Sequence, residues 1–470
     1  MQKEMEKDME KDRKFGLRDK LGYMFGDFGN DFTFILSSMF LLKFYTDVMG
    51  VSAGLVGIMM MVARFADAFT DVAMGQIVDR GKSGKKGKFV VWLRRMCGPV
   101  AVASFLMYAN WFAGAPMGFK IFWMFFTYIL WGSVFYTSIN IPYGSMASAI
   151  SGDPKERAQL SNWRTIGASL AGTVIGVVLP VVVYNKDAAG NSVLSGHKMM
   201  IAALVCSIGS VICYMLCYYM TTERIKVKQT VQRFDLKELL LGIVHNRALV
   251  GIVVSSICLL LAQLTLTSMT TYIFPNYFGN TKAQSVAGLV GTIVTLICAG
   301  FTVKLSQKFG RKELGIFSSL FGAAVLIITF FMHTKNAYVF VGMYTLAYVG
   351  IAIFSLITWA MITDVIDDTE VQQGQRSDGT IYSVYSFARK LGQAASSGLS
   401  GLLLTLIGYS QATAYDTAVV NKIYDITCLA PAAGFILLAV SLKFLYPLNR
   451  KRVEENARIL EQKHGEENEE

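Results

Sequence analysis

Long uncharged stretches of apolar residues recur from one end of this sequence to the other. A helix needs about 20 mostly apolar residues to cross the hydrocarbon layer of a bilayer, and roughly a dozen stretches of that kind are present. Only 16% of the residues are charged and 53% are hydrophobic, whereas soluble domains carry about 25% charged residues. The sequence therefore predicts an integral membrane protein rather than a soluble one.

The predicted spans form two sets, which indicates an all-α fold of two pseudo-symmetric six-helix bundles. Helices are favoured over strands because backbone groups in lipid must bond within their own segment, and strands would alternate polar with apolar residues. The first set lies near 32–49, 51–77, 89–112, 121–143, 165–184 and 200–219. The second set lies near 248–274, 285–303, 314–332, 338–362, 380–407 and 426–445.

Polar segments around these sets give the predicted domain boundaries. We expect a tail over 1–22, a bundle over 23–220, a linker over 221–247, a second bundle over 248–448 and a tail over 449–470. The apolar positions of 234–244 predict an interfacial helix within the linker. Short basic turns with glycine follow both the second and the eighth span. Two similar halves are typical of the major facilitator architecture, which has its ligand site between the halves.

The net charge of +11 is concentrated in alternate loops. Loops rich in Lys and Arg lie on the cytoplasmic side of a membrane, so both termini are predicted to be cytoplasmic in an inner-membrane protein. Basic residues in this arrangement set topology and contact anionic lipid, and no nucleic-acid partner is expected. The charged stretch 1–20 lacks the apolar core of a signal peptide. The seven cysteines all fall within apolar spans and are interpreted as small buried hydrophobes.

The second span carries charged residues, each of which costs roughly 2.5–3.5 kcal/mol at the centre of a span. Arg64, Asp67 and Asp71 share one helix face, because three and then four positions separate them. Two carboxylates on one face repel each other unless a proton or metal ion lies between them. Asp67 and Asp71, with Thr70 beside them, are therefore candidate ligands of Na⁺ or H⁺. The alternative is structural: Arg64 pairs with one aspartate and locks helices together.

Acidic and amide residues mark the start of the first span. Asp31, next to Asn30, precedes the apolar run, and a carboxylate at that place can accept hydrogen bonds from adjacent sugar hydroxyls. Asp27, one turn earlier, fits a helix N-terminus stabilised by the helix dipole. We favour ligand contact for Asp31 and the dipole for Asp27.

Aromatic and amide residues of later spans are weaker candidates. Tyr136, Asn140 and Tyr143 form a stripe on the fourth span that either lines a polar pocket or joins helices by hydrogen bonds. Trp359 in the tenth span either stacks on the apolar face of a sugar ring or packs among other side chains.

An acidic segment precedes the eleventh span, on a side of the membrane that is otherwise basic. In one conformation its carboxylates are expected to form ion pairs with basic loop residues of the other half, and these ion pairs would act as a gate. The candidate gate residues are Asp364, Asp367, Glu370, Arg376, Arg80 and Arg157. Lys390, inside the span, needs a counter-charge, for which Asp67 or Asp71 is the candidate.

Several motifs in one order resemble the glycoside–pentoside–hexuronide:cation symporter family. They are GDFGND at 26–31, FYTD at 44–47, RxxDAxxD at 64–71, KKGKF at 85–89, NIPYGS at 140–145, ERxxL at 156–160 and YSxxSFxRK at 382–390. The similarity extends from Tyr23 to Leu448. It is strongest to the glucuronide-carrier branch, around Asn140–Ser145 and Ser386–Ala394.

The resemblance implies sugar uptake driven by Na⁺ or H⁺. It implies a cation site at Asp67 and Asp71 with Thr137 nearby, and a sugar site near Asp31, with Lys390 between the two sites. The full set of candidate sugar contacts is Asn30, Asp31, Arg64, Tyr136, Asn140, Tyr143, Arg164, Trp359, Ser386 and Lys390. The melibiose-carrier branch has lysine at Asn30 and aspartate at Asn140, so both members of a charged pair are neutral here.

The sequence thus predicts a secondary active transporter that works by alternating access as a monomer. Its expected partners are a small sugar or glycoside, which the resemblance extends to a glucuronide, a coupling cation and the lipid bilayer. No cofactor is expected. Two alternatives remain open: a cation-coupled lysolipid carrier of the same fold, and a membrane sensor without transport. An enzyme is disfavoured because no nucleophile–base pair or metal cluster is evident.

Overall fold

The computed structural model describes residues 13–81, 84, 86–225, 246–374 and 378–467. These residues form two compact units, one holding the helices up to Met220 and the other the helices from Arg247 onward. The predicted linker 221–247, with its interfacial helix, lies almost entirely outside the described residues, and the predicted domain boundaries stay predictions.

The first unit consists of six long helical segments and a small hairpin. They are α1 (Leu17–Asp47), α2 (Ala53–Arg80), α3 (Val90–Met107), a rod of α4 (Met117–Ile129), a π-helical segment (Leu130–Tyr136) and α5 (Thr137–Ile150), then α6 (Pro154–Val182) and α7 (Gly196–Met220). A 3₁₀ turn covers Asn110–Phe112. Strands β1 (Tyr184–Lys186) and β2 (Ser192–Leu194) pair antiparallel, with Tyr184 opposite Leu194.

The second unit also contains six long helical segments, followed by a terminal helix. They are α8 (Arg247–Tyr272) continued by a π-helical segment (Ile273–Tyr277), α9 (Thr281–Phe309), α10 (Arg311–Met332), α11 (Ala337–Gln373), α12 (Asp378–Leu406) and α13 (Thr417–Phe444), with α14 (Arg450–Glu467) at the end. Among the described residues, ten helices are long and apolar enough to cross a membrane. Helices α1 and α12, of 31 and 29 residues, bring the long segments to the predicted twelve.

Helix packing repeats between the two units. In the first unit α1 packs against α6 and α7, and α3 packs against α7. In the second unit the equivalent helices do the same, since α8 packs against α12 and α13, and α10 packs against α13. Each unit thus places its first helix between its fifth and sixth, and the predicted pseudo-symmetric all-α fold is confirmed.

Several helices extend well beyond the predicted spans, and two of these helix ends bear on the candidate site, where charged residues continue a helix that hydropathy would end. Helix α1 begins at Leu17 rather than near Phe32, so Asp27, Asn30 and Asp31 lie inside it. The dipole explanation of Asp27 therefore fails, since the helix dipole acts within the first turn. Helix α11 continues to Gln373, so the acidic segment is the end of this helix rather than a loop.

Small residues of α1 allow its neighbours to approach closely. A Cβ atom at Gly22 would lie 2.7 Å from the Cβ of Met220, and one at Gly29 would lie 3.1 Å from the Cβ of Cys213, both on α7. Between helices in lipid, such close backbone approach supplies dispersion contacts that water-driven burial cannot. Gly22 and Gly29 thus fix α1 against α7.

A carboxylate beyond the end of α7 caps the start of α3. Glu223 accepts hydrogen bonds from the backbone N–H groups of Lys88, Phe89 and Val90 at 2.7, 2.9 and 2.6 Å. These are amide groups that a helix cannot satisfy internally. Gly87 has φ of +141°, and a Cβ there would lie 2.4 Å from the Glu223 carboxyl carbon, so only glycine fits. Burial raises the pKa of Glu223, and the three N–H groups act in the opposite direction.

We expect Glu223→Ala to lower the apparent melting temperature of the purified protein. Unsatisfied buried amides cost about 1–3 kcal/mol each, and Glu223→Gln, which keeps an acceptor oxygen, should lose less. A thermal-shift measurement in detergent compares the variants. Glu455→Ala, at an exposed position of α14, is the control. Melting of Glu223→Ala at the wild-type temperature would show that this cap does not hold α3.

Candidate functional site

The two carboxylates of α2 contact the neighbouring rod. Asp67 accepts a hydrogen bond from Ser133 Oγ at 2.6 Å through Oδ1, and Arg64 Nη1 lies 3.4 Å from its Oδ2. Asp71 accepts a hydrogen bond from Thr137 Oγ1 at 2.9 Å. Asp67, Ser133 and Thr137 are all buried. The structure thus brings both predicted acids and Thr137 together.

The π-helical segment sets the register of this contact. The backbone N–H of Thr137 donates to the carbonyl of Gly132, five residues earlier, and Thr137 Oγ1 lies 3.1 Å from the same oxygen. Gly132 lies beside the acid, since a Cβ there would be in ordinary van der Waals contact with Asp67 Oδ1, at 3.5 Å. Single π turns of this kind are frequent at functional sites.

The other two predicted residues of α2 are engaged differently. Thr70 donates to the backbone carbonyl of Asp67 at 3.2 Å, so its hydroxyl serves its own helix. The guanidinium of Arg64 is 4.6 Å from the ring of Phe34 and 5.9 Å from that of Trp131. Arg64 is 9% exposed. Its ion pair with Asp67 lies within α2 and so joins no two helices, and its substrate contact stays a prediction.

An ion pair joins α1 to α6. Arg164 Nε donates to Asp27 Oδ1 at 3.0 Å, and the Arg164 guanidinium lies 5.4 Å from the ring of Tyr143. The Arg164 side chain is 41% exposed while that of Asp27 is 9% exposed. Asp27 is therefore held by the guanidinium of Arg164, and part of the Arg164 side chain remains accessible.

The two candidate asparagines, Asn30 and Asn140, lie next to each other. Asn30 Nδ2 is 3.5 Å from Asn140 Oδ1, and Tyr214 donates its hydroxyl to Asn30 Oδ1 at 2.7 Å. Asn30 is buried and Asn140 is half-buried. The amide pair links α1, α5 and α7 without placing a net charge between them.

Asp31 differs from the other acids of α1. It is half-buried, and it forms no hydrogen bond or ion pair with the part of the chain that the structure describes. The ring of Phe34 stacks on Tyr136 at 5.9 Å, one turn further along α1. A carboxylate in this state can accept hydrogen bonds from a ligand without first losing a protein partner.

Tyr143 has a packing role in this conformation. It is fully buried, its hydroxyl donates to the backbone carbonyl of Tyr23 at 2.7 Å, and the two rings stack at 4.6 Å. Tyr136 is half-buried and lies 5.3 Å from Trp131. The stripe on the fourth span is thus divided: Tyr143 joins helices, whereas Tyr136 and Asn140 remain partly accessible.

The second unit gathers its predicted residues on α11 and α12. Trp359 is 45% exposed, and its ring stacks on Tyr382 at 5.8 Å and meets Tyr385 edge-on at 5.3 Å. The guanidinium of Arg389 lies 5.6 Å from the Trp359 ring. Ser386 and Lys390 are half-buried on the same helix as Arg389. The predicted pairing of Lys390 with the α2 acids stays a prediction.

The predicted gate acids include residues with partners inside their own unit. Asp364 pairs with Arg311 of α10, and Arg311 Nη1 also donates to the Ala360 carbonyl at 3.2 Å. Asp367 is half-buried and Glu370 buried at the end of α11. Arg80 and Arg157 are exposed and Arg376 lies outside the described residues, so gating stays a prediction.

Neighbouring Asp368 anchors the terminal helix. Arg452 Nε and Asn456 Nδ2 of α14 each donate to Asp368 Oδ1 at 2.9 Å, and Gln372 donates to its Oδ2 at 2.6 Å. Asp368 therefore holds α14 against the end of α11.

Sequence reasoning missed Ser133 and Tyr214. Ser133 precedes Thr137 by four residues and therefore shares its helix face, a signal that the sequence did contain. Tyr214 lies in an apolar span with no pattern that marks it. Among the described residues no group of three or more His, Cys, Asp or Glu could hold a metal ion, so any ion here would need hydroxyl or carbonyl ligands as well.

Twelve long helices in two repeated units, with buried carboxylates and hydroxyls within the helices, define a multi-pass membrane transporter. Residues 22–450 match the model of the family described as MFS/sugar transport protein, where MFS is the major facilitator superfamily. The chain belongs to this family of sugar transporters and is not an enzyme. The predicted relationship to the glycoside–pentoside–hexuronide symporters is confirmed.

Curated relatives cover nearly the whole chain. The "Uncharacterized symporter YjmB" of Bacillus subtilis is 30% identical over 97% of both chains. The "Glucuronide carrier protein homolog" of Escherichia coli is 28% identical over 93% of this chain and 94% of that one. The "Isoprimeverose transporter" of Lactiplantibacillus pentosus is 28% identical over 96% and 92%.

Solved structures are similar in fold. The nucleoside transporter NupG has a TM-score of 0.63 at 14% identity, covering 92% of this chain and all of that one. A bacterial homologue of the iron transporter ferroportin, in an inward-facing state, has a TM-score of 0.64 at 13% identity, covering 93% and 100%. At these identities the similarity shows the fold alone.

A double-mutant cycle tests the ion pair between α1 and α6. Asp27→Asn and Arg164→Gln should each lower the apparent melting temperature, because each leaves an unpaired charge. Such a loss costs about 3–5 kcal/mol when both groups are fully buried, and less here because Arg164 is partly exposed. The double variant should melt closer to the wild type than either single variant. Strictly additive losses would contradict a direct interaction.

Proposed function

We propose that this protein is a cation-coupled symporter that takes up a sugar or glycoside by alternating access across the inner membrane, with both termini cytoplasmic. The observation that supports it best is the arrangement at α2, where two carboxylates meet the hydroxyls of Ser133 and Thr137. Hard cations prefer oxygen ligands of this kind.

The acidic residues on this face of α2 suit a monovalent cation. Asp67 and Asp71 are one turn apart, and the one basic residue of the motif, Arg64, lies beside Asp67. An intramembrane negative charge is costly, and Na⁺ or H⁺ lowers that cost. Binding of the ion thereby removes the repulsion between the two carboxylates and stabilises the contact between α2 and the rod.

The sugar site in this proposal lies along α1 and the rod. Asp31 accepts hydrogen bonds from sugar hydroxyls, and Asn30, Asn140 and Tyr136 add neutral donors, acceptors and an aromatic surface. Arg164 contributes its accessible guanidinium edge. The sugar contacts predicted for Trp359, Ser386 and Lys390 stay predictions.

The names of relatives support a glycoside as substrate. They include a glucuronide carrier homologue, a putative sulfoquinovose importer and an isoprimeverose transporter. Coupling requires that ion and sugar each raise the affinity for the other by the same factor.

Uptake by proteoliposomes tests the function. Labelled methyl glucuronide, a neutral methyl glycoside and a pentose disaccharide are offered with an imposed Na⁺ gradient, a proton gradient or neither. We expect accumulation of at least one sugar only when a gradient is present. Competition by lysolipid instead of sugar would indicate the lipid carrier.

Replacement of either α2 acid should uncouple transport. Asp67→Asn and Asp71→Asn are expected to abolish accumulation above the external concentration while leaving membrane insertion intact, because the amides bind no cation strongly. Asp187→Asn, in the exposed hairpin turn, is the matched control and should accumulate sugar normally. Full concentrative uptake by both α2 variants would remove the cation assignment.

Asp31→Asn should weaken sugar binding and spare ion binding. Loss of hydrogen bonds to a charged acceptor costs about 1.5–3 kcal/mol, which is roughly a tenfold to hundredfold lower affinity. Sugar affinity is measured by competition in proteoliposomes, and ion affinity by calorimetry without sugar. An unchanged sugar affinity would exclude Asp31 from the sugar site.

A further inference from the structure

The serine and threonine hydroxyls of the rod between Met117 and Ile150 have two kinds of hydrogen-bond partner. Thr127, Ser138 and Ser145 each donate to the backbone carbonyl four residues earlier, at 2.8, 2.6 and 3.1 Å. This is the usual way for a helical serine or threonine to satisfy its hydroxyl. The hydroxyls of these three side chains therefore have their hydrogen-bond acceptors within their own helix.

Ser133 and Thr137 are the exceptions, because their hydroxyls reach carboxylates of α2. Ser133 Oγ lies 2.6 Å from Asp67 Oδ1, and its side chain is 6% exposed. Thr137 Oγ1 lies 2.9 Å from Asp71 Oδ1. The two hydroxyls are one turn apart on the same face, as are the two acids. Two carboxylates on α2 thus face two hydroxyls on the rod across one helix contact.

We propose that Ser133 is an oxygen ligand of the coupling ion and that this ion is Na⁺ rather than H⁺. The inference rests on the proposed function, and it adds a residue and an ion identity to the same site. A proton needs one acceptor oxygen, whereas a hard metal cation needs several oxygen ligands at once. Hydroxyls directed at both acids supply the additional oxygens.

The hydroxyls can change from donors to ligands without leaving a buried proton unsatisfied. Thr137 Oγ1 already lies 3.1 Å from the Gly132 carbonyl, which accepts its proton when the lone pairs turn toward an ion. A helical serine has the same alternative in the carbonyl one turn earlier. Before the ion binds, the hydroxyl protons stabilise the carboxylates, and afterwards the ion does.

The test is calorimetric titration of NaCl into the purified full-length protein in lipid nanodiscs, with choline chloride at equal ionic strength. Removal of groups around a bound metal typically lowers its affinity by 10–100-fold. We expect Ser133→Ala and Ser133→Cys to weaken Na⁺ binding on the order of tenfold, because neither offers a hard oxygen. Ser133→Thr keeps the hydroxyl and should bind Na⁺ as the wild type does.

Ser138→Ala is the matched control, since its hydroxyl serves only its own helix, and its Na⁺ affinity should not change. Monodisperse elution of each variant shows that it is folded, and the near-isosteric cysteine variant carries the test if the alanine variant aggregates. Wild-type Na⁺ affinity in both Ser133→Ala and Ser133→Cys would overturn the proposal.

Wild-type protein that binds no Na⁺ and accumulates sugar only in a proton gradient would also overturn it, while the symport function would stand. Sugar movement that ignores every ion gradient would instead remove the symport function itself. The two failures are therefore distinguishable.

Discussion

Charged side chains inside apolar helices must find partners, and this requirement determines how each unit of the protein is assembled. Asp27 meets Arg164, Lys43 meets Asp47 at 2.8 Å, and Asp364 meets Arg311. Each of these ion pairs forms within a single unit. Removing one member would strand a charge in low dielectric, so the pairs fix the contacts of α1 with α6 and of α10 with α11.

The same requirement separates structural charges from those that are available to a ligand. Asp368 accepts hydrogen bonds from Arg452, Asn456 and Gln372, and its capacity is used in holding α14. Asp31 has no such contacts within the described residues. The acids of α2 differ from both, since the hydroxyls of Ser133 and Thr137 donate to them and can turn their lone pairs toward an ion instead. This difference in partners, rather than burial alone, motivates the roles proposed for these acids.

The sequence predicts the helical repeat correctly, and it places both acids of α2 on one helix face, because hydropathy and helical spacing act locally along the chain. It fails where a distant partner decides the outcome. Helix α1 extends back to Leu17 because Arg164, far along the chain, compensates Asp27. Helix α11 extends to Gln373 because Arg311 and Arg452 compensate its acids. The π turn at Leu130–Tyr136 has no local signal in the sequence, whereas the four-residue spacing of Ser133 and Thr137 does place the two hydroxyls on one face.

Similarity of fold leaves the substrate undetermined, because a nucleoside transporter and a bacterial homologue of an iron transporter have a similar architecture. The choice of substrate must therefore depend on the particular side chains of α1 and the rod. Asn30 and Asn140 form a neutral contact where the melibiose-carrier branch has a charged pair. A buried charged pair holds its own hydrogen-bonding groups tightly, whereas amides offer both donors and acceptors at lower cost. In the proposed function this neutral pair adds hydrogen-bonding groups for a sugar, while Asp31 and Arg164 of the same unit supply charged contacts.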